Sequence, residues 1–426
     1  MINKSSIIYK INYFLLAFIP ITLISGPFIP DFFCSISGIL FIFLCLKYKI
    51  TSHIKSKFFI YFIFFYLIII VSSFNSNNIL YSLESSLFYF RFGILAINYW
   101  LVIENSGKKF LKILTITTTS AIILAVFSGF IQYFLNINFN GGNISLDKFK
   151  ALRISGIFGE ELILGSFVSR LLPTSLALVT LIYFKNTLNF YIYLLSFIIL
   201  SIIIIFISGE RAAIFNIMLF LALSFFLIKI KFKFKIGFIF IVISLFLSIL
   251  NIDERIYNRL IVTISHEFTE VKISKNISWY FVSQEHQTAF FTSLNMFNQN
   301  KILGIGPKMY RKECSDPTYV KSLNYSNSCL MHPHNHYLQL MSETGVLGLL
   351  FIISVFIFIS YKSFLLILNK DKRDRISNYE IFLIITIFIF LWPLNHNGNF
   401  FNNYINIIHY YPLGLLLAKK NLRTIF

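Results

Sequence analysis

Residues 188–228 read LNFYIYLLSFIILSIIIIFISGERAAIFNIMLFLALSFFLI. Two apolar runs, about 188–208 and 212–228, flank one tight polar turn, Ser208-Gly209-Glu210-Arg211. Each run has the roughly 17–25 residues that a helix needs to cross a bilayer, whereas barrel strands alternate over segments of about 10. The stretch therefore reads as a helical hairpin in lipid.

The same rhythm extends along the whole chain of 426 residues. Apolar spans are expected at about 8–26, 28–46, 58–74, 84–103, 111–135, 160–183, 188–208, 212–228, 236–250, 334–360, 379–396 and 402–418. Hydrophobic residues make up 57% of the chain and charged ones 13%, with a mean hydropathy of +0.74. A soluble domain carries roughly 25% charged residues. A cytosolic enzyme, a secreted domain and a disordered chain are thereby excluded. The expectation is an all-α integral membrane protein of about 12 transmembrane helices. It divides into residues 1–250 (helices 1–9), a polar loop or lid at 251–333, and residues 334–426 (helices 10–12).

The net charge of +19 lies mostly in short basic loops on one side of this pattern, which is a topology signal and not a nucleic-acid footprint. Lys47, Lys49, Lys55, Lys57, Lys108, Lys109, Lys112, Lys185, Lys229, Lys231, Lys233 and Lys235 fall there, with Lys362 to Arg375 and Lys419, Lys420 and Arg423. The outside loops at 75–83 and 395–401 hold no Lys or Arg. Both termini are therefore expected in the cytoplasm, with the 251–333 loop outside. Lys4 and Lys10 precede an uncleaved first span and not a signal peptide. The loop's patches Trp279-Tyr280-Phe281-Val282 and Ala289-Phe290-Phe291 suggest an ordered lid with short helices. Cys314 and Cys329 lie 15 residues apart in it, and an oxidising compartment lets them bridge rather than remain free thiols. Cys34 and Cys45 sit inside a span.

Arginine is the informative residue. Of 10 Arg, 7 fall outside or within spans (Arg91, Arg153, Arg170, Arg211, Arg255, Arg259 and Arg311), against 8 of 27 Lys. The positive-inside bias should treat both types alike. A need for planar guanidinium, which grips phosphate oxygens in pairs, explains the difference. Arg91 and Arg170 lie at span depth, where a charge is costly, and pairing with Glu84, Glu160 or Glu161 is the structural alternative. Arg211 opens a helix after Gly209, so the helix N-terminus and the guanidinium form an anion site, the alternative being a surface ion pair with Glu210. Arg153 precedes Ser155-Gly156-Ile157-Phe158-Gly159, whose glycines suggest amides aimed at a ligand.

A further cluster is His332-Pro333-His334-Asn335-His336. Pro333 is expected to start a helix, with His334 in its first turn, held neutral by the helix dipole and so suited to a general base. The run 334–360 exceeds a bilayer core, so its first turns stand above the membrane or the helix breaks near Gly345. A metal site is the rival reading, but no acidic partner stands at ligand spacing. A polar rim is the third. Gly304-Ile305-Gly306-Pro307 has no strand–helix unit around it and reads as a turn.

These residues resemble the O-antigen ligase and polymerase superfamily of bacterial envelope glycosyltransferases. Its hallmark is a His followed by Asn, Ser or Gln, then nine residues, then Gly-x-x-Gly; His334-Asn335, Gly345 and Gly348 fit it. Gly209-Glu210-Arg211-Ala212, the stretch from Arg153 to Gly159 and the 304–307 turn are also similar. The resemblance implies a GT-C-like fold in the bacterial inner membrane, with the active site on the periplasmic face and no cofactor. It implies transfer of an undecaprenyl-diphosphate-linked O-antigen glycan to lipid A–core, among membrane lipids. His334 would be the base, and Arg211 and Arg153 would hold the diphosphate. His286, Arg255 or Arg259 would add a further basic residue, and Arg170 and Arg91 are candidates on charge alone. A polymerase of the same superfamily is the alternative, and a transporter of lipid-linked glycan a more distant one.

Overall fold

The computed structural model describes residues 3–137, 150–185, 187–270, 284–320 and 329–419. Lys148, the 279–282 aromatic patch, Lys420 and Arg423 lie outside them. Among the described residues the regular elements are all helical.

The helices are α1 (Ile7–Thr22), α2 (Phe28–Tyr48), α3 (Lys57–Ser73), α4 (Ile79–Leu87), α5 (Phe90–Leu135), α6 (Leu164–Ile182), α7 (Leu188–Ile207), α8 (Arg211–Leu227) and α9 (Phe232–Ile252). Short α10 (Glu254–Tyr257), α11 (Thr263–Glu270), α12 (Gln284–Gln299), α13 (Tyr310–Glu313) and α14 (Pro317–Val320) follow. The chain ends with α15 (His336–Leu368), α16 (Lys370–Asp374), α17 (Asn378–Leu391) and α18 (Asn403–Leu417). Helix occupies every apolar stretch named above. Among the described residues seven stretches are long and apolar enough to cross a membrane, and α3, α8 and α17 are apolar but shorter. The protein is a multi-pass membrane protein.

Two of these helices are not straight. In α5, Gly107 takes φ 51°, ψ −131°. The rings of Tyr99 and Phe110 lie 6.3 Å apart, whereas eleven residues of straight helix would separate them by about 16 Å. The chain turns back at Gly107, so the expected fourth and fifth spans are the two arms of one element. In α15, Gly345 takes φ 65°, ψ −159°. Tyr337 and Phe356 then meet at 6.5 Å, so the arm before Gly345 folds back along the helix after it. The break anticipated near Gly345 is this reversal.

The bundle packs around α5, with α1, α2, α6 and α18 against it. Asn12 and Asn98 exchange two side-chain hydrogen bonds of 2.9 Å in its interior, polar pairing of the kind that joins helices where the surroundings supply no water. By contrast α9 buries only Val242, and its Phe240, Ile243 and Leu247 face outward.

Helices α12 to α14 form a second, small core of Ala289, Met296, Ile305, Met309, Tyr310, Cys314 and Tyr319. Cys314 and Cys329 are joined by a disulfide with Cα atoms 5.1 Å apart.

Candidate active site

Three segments distant in sequence meet at the turn between α7 and α8. Gly209 has φ 68°, and a Cβ there would strike the Leu152 carbonyl at 2.6 Å and Arg259 Cγ at 3.1 Å. Ile154 N donates to Ser208 O at 3.3 Å, Leu152 N to Arg255 O at 3.2 Å, and Arg259 Nε to Gly209 O at 3.2 Å. Glycine is needed here because two other segments of the chain cross the turn. The consequence is that Arg153, Arg211 and Arg259 share one wall.

Glu210 does not form the surface ion pair weighed above. Its carboxylate accepts from Gly165 N (2.6 Å), Ser166 N (3.1 Å) and Ser166 Oγ (2.6 Å), and so caps the start of α6. Burial raises its pKa, an effect opposed by Ser166, Gly165 and Arg153. Burial likewise lowers that of Arg153, with Glu210 opposing and Arg211 adding. The amides after Arg153 are not aimed at a ligand, contrary to expectation. Gly156 N donates to Gln132 Oε1 (2.5 Å) and Ile157 N to Ser128 Oγ (3.0 Å). Gly156 and Ile157 fasten the loop to α5.

The histidine segment also differs from expectation. His334 is not in the first turn of a helix. It precedes the N-cap, Asn335, whose side chain accepts from Tyr337 N (2.9 Å) and Leu338 N (3.1 Å). His334 itself has φ 54°. Its neutrality therefore comes from its surroundings and not from a helix dipole. Burial lowers its pKa to about 4, with His286 adding to the effect. Desolvation brings His332 to about 3 and also lowers His396, whose ring is open to the cavity, with neighbouring imidazoles adding in each.

The break in α15 explains the glycine motif. Ile305 N donates to Ser342 O (3.0 Å), Gly306 N to Glu343 O (2.9 Å) and Val346 N to Lys301 O (2.8 Å). The carbonyls freed by the break are thus taken up by the 304–307 turn. A Cβ on Gly304 would lie 2.4 Å from the Glu343 carbonyl carbon, and one on Gly345 would lie 2.3 Å from Ile302 O. The two glycines are one contact seen from both sides. Glu343, buried, accepts from Tyr310 N at 3.0 Å and from Gln339 Nε2 at 2.9 Å.

A single cavity of about 1880 Å³ lies between these parts. Arg153, Arg170, Arg211, Arg259 and Arg311 line it, with His286, His332, His334 and His396; among the described residues the only carboxylates are Glu161 and Glu210. Ile24, Leu124, Phe158, Phe167, Phe215 and Ile408 add apolar lining. Buried Nε atoms of Arg153 and Arg311 have no hydrogen-bond partner. Groups suited to anion recognition and to acid–base chemistry thus share one volume with apolar lining. Arg91 and Arg255 do not line it. Arg91 pairs with Asp31 at 2.9 Å, not with Glu84, Glu160 or Glu161. Arg255 is held by Asp253 at 2.8 Å and lies over the Tyr133 ring.

Arg311 and His396 were not singled out as site residues. Arg311 was legible only as one of the seven displaced arginines. His396 stands in Asn395-His396-Asn397-Gly398-Asn399, a polar run between two apolar helices, which is a signal in itself. Among the described residues no group of three or more His, Cys, Asp or Glu is placed to hold a metal ion. The facing Nε2 atoms of His286 and His396 are 2.8 Å apart, a hydrogen-bond distance and shorter than the roughly 3.3 Å between two nitrogens on one tetrahedral zinc.

Residues 196–353 match the family model described as O-antigen ligase. This stretch is similar to the O-antigen ligase family. The matched stretch contains the Gly209–Arg211 turn, Arg259, His286, Arg311 and His334; Arg153, Arg170 and His396 come from outside it. No curated protein matches the chain. The match and the apolar helices together show a multi-pass membrane protein with a stretch similar to the O-antigen ligase family.

Proposed function

We propose that the protein is an inverting glycosyltransferase that moves a glycan from undecaprenyl diphosphate to a hydroxyl of lipid A–core, on the periplasmic side of the inner membrane. The observation that carries this reading is the composition of the cavity wall: among the described residues, five guanidiniums against two carboxylates, beside a histidine kept neutral. A diphosphate supplies the anion that such a wall lacks, and the apolar lining suits a polyprenyl chain.

The chemistry follows from the groups present. The acceptor oxygen attacks the anomeric carbon, and His334 takes the hydroxyl proton. The bond from that carbon to the diphosphate oxygen breaks, and the electron pair leaves with the diphosphate. Arg211 and Arg153, with Arg259 and Arg170 beside them, stabilise that developing charge from fixed positions. Arg91 and Arg255 have no part in it. The basic loops support twelve passes with both termini in the cytoplasm, a topology that puts Arg153, Arg211, Arg259 and His334 on the periplasmic face.

A polymerase shares this mechanism and differs in acceptor. Deleting the gene and running the cell's glycolipids on a gel separates the two. Lipid A–core without glycan, and long chains retained on the carrier, is the ligase result; lipid A–core carrying one repeat is the polymerase result. His334→Ala in the same strain is expected to behave as the deletion while the protein still inserts. Transfer at the wild-type level by that variant overturns the assignment of the base.

A further inference from the structure

We propose that His396 is a positioning residue for His334, a reading that rests on His334 being the base. The His334 ring lies between two others. His396 stacks on it at 4.5 Å with an interplanar angle of 18°, and His332 meets it at 4.1 Å and 52°. Such a partner is needed because His334 precedes the helix and its backbone is in the left-handed region. An imidazole on such a turn rotates broadly about its last side-chain bond unless something fixes the plane of the ring.

His396 is itself fixed. Its Nε2 is 2.8 Å from that of His286 on α12, so one imidazole donates and the other accepts. The loop that carries it is tied to the same arm of α15 at successive points. Asn335 Nδ2 donates to Pro393 O (2.6 Å), Asn397 N to His334 O (2.8 Å), Gln339 Nε2 to Asn399 Oδ1 (3.2 Å) and Phe400 N to Gln339 Oε1 (2.8 Å). Arg170 Nη2 adds a bond to Asn397 Oδ1 at 3.3 Å. The loop and the base therefore move as one piece.

The alternative is a histidine that merely completes the fold. Its ring faces the cavity rather than the protein core. Truncating it leaves no void among packed side chains and should change stability little, so stability and rate separate the two roles.

The test uses the full-length protein in nanodiscs, with a polyprenyl-diphosphate-linked oligosaccharide as donor and lipid A–core as acceptor. His396→Ala is expected to lower kcat by about 10- to 100-fold, the usual effect of a loosely held catalytic group. The donor KM and the melting temperature should stay near wild type. His396→Phe retains a flat ring to stack and lacks the nitrogens, and is expected to recover kcat to within about fivefold of wild type. A Phe variant as slow as the Ala variant overturns the proposal, because a ring nitrogen and not stacking then does the work. Wild-type kcat in His396→Ala beside an inactive His334→Ala overturns it alone. Transfer that survives His334→Ala overturns the assignment of the base, and this inference with it.

Discussion

His334 combines a left-handed backbone with a ring enclosed by three other imidazoles. The enclosure sets its working pH. An ordinary histidine titrates near 6.5, and this one is lowered to about 4. The depressed value means that the neutral form, which accepts a proton, persists through the neutral range. The kcat/KM of transfer is therefore expected to be flat from about pH 8 to 5, with an acid limb centred near 4. An acid limb centred near 6.5 would contradict this. Stability has the same sign. The contribution of the neutral imidazoles is present above about pH 6.5, and it is lost as the pH falls toward the folded values of about 3 to 4. Dipole-based neutrality was the sequence expectation. It failed because helix starts are set by capping: Asn335 caps, so the helix begins after the histidine.

At the level of elements, the broken α15 and the 304–307 turn depend on each other. Gly345→Ala puts a methyl group 2.3 Å from Ile302 O at positive φ. A loss of roughly 1–3 kcal/mol is expected, readable as a lower melting temperature of the detergent-solubilised protein together with reduced transfer. An unchanged melting temperature would show that the contact is slack. The disulfide acts in the same region. Cys314 follows Arg311 by three residues and Cys329 precedes His332 by three, so the bridge fixes two cavity-lining segments at one point. Replacing both cysteines with serine is expected to cost about 3 kcal/mol for a loop of 15 residues. It should also slow transfer, and a reductant should have the same effect on the wild type but none on the variant. Gly304-x-Gly306 was legible in the sequence only as a turn. Its partner 41 residues further on was not, because hydropathy and local spacing carry no information about which backbones touch.

Across the whole molecule, the excess of arginine resolves into two groups. Five of the seven converge on the cavity, and Arg91 and Arg255 are engaged by Asp31 and Asp253. Substitutions should separate in the same way. Arg211→Ala is expected to weaken transfer by about 100-fold or more, and Arg211→Lys to recover only part of it, because an ammonium lacks the planar fork. Arg255→Gln should lower the melting temperature and leave the donor KM unchanged. A rise in donor KM for Arg255→Gln comparable to that for Arg211→Ala would remove the distinction.

The sequence by itself determined the helices, the basic loops of the topology pattern and the anomalous placement of arginine. These follow from run length, hydropathy and charge, each a property of contiguous residues. It also exposed His334 and its two glycines, since their spacing is local. Only the tertiary structure decided which arginines share a wall, that Glu210 caps α6, and that His286 and His396 stand over His334. Those facts arise where segments far apart in the chain cross, and glycine at 209, 304 and 345 lets the crossing backbones approach. Contacts of that kind have no signature along the chain until the helices have packed.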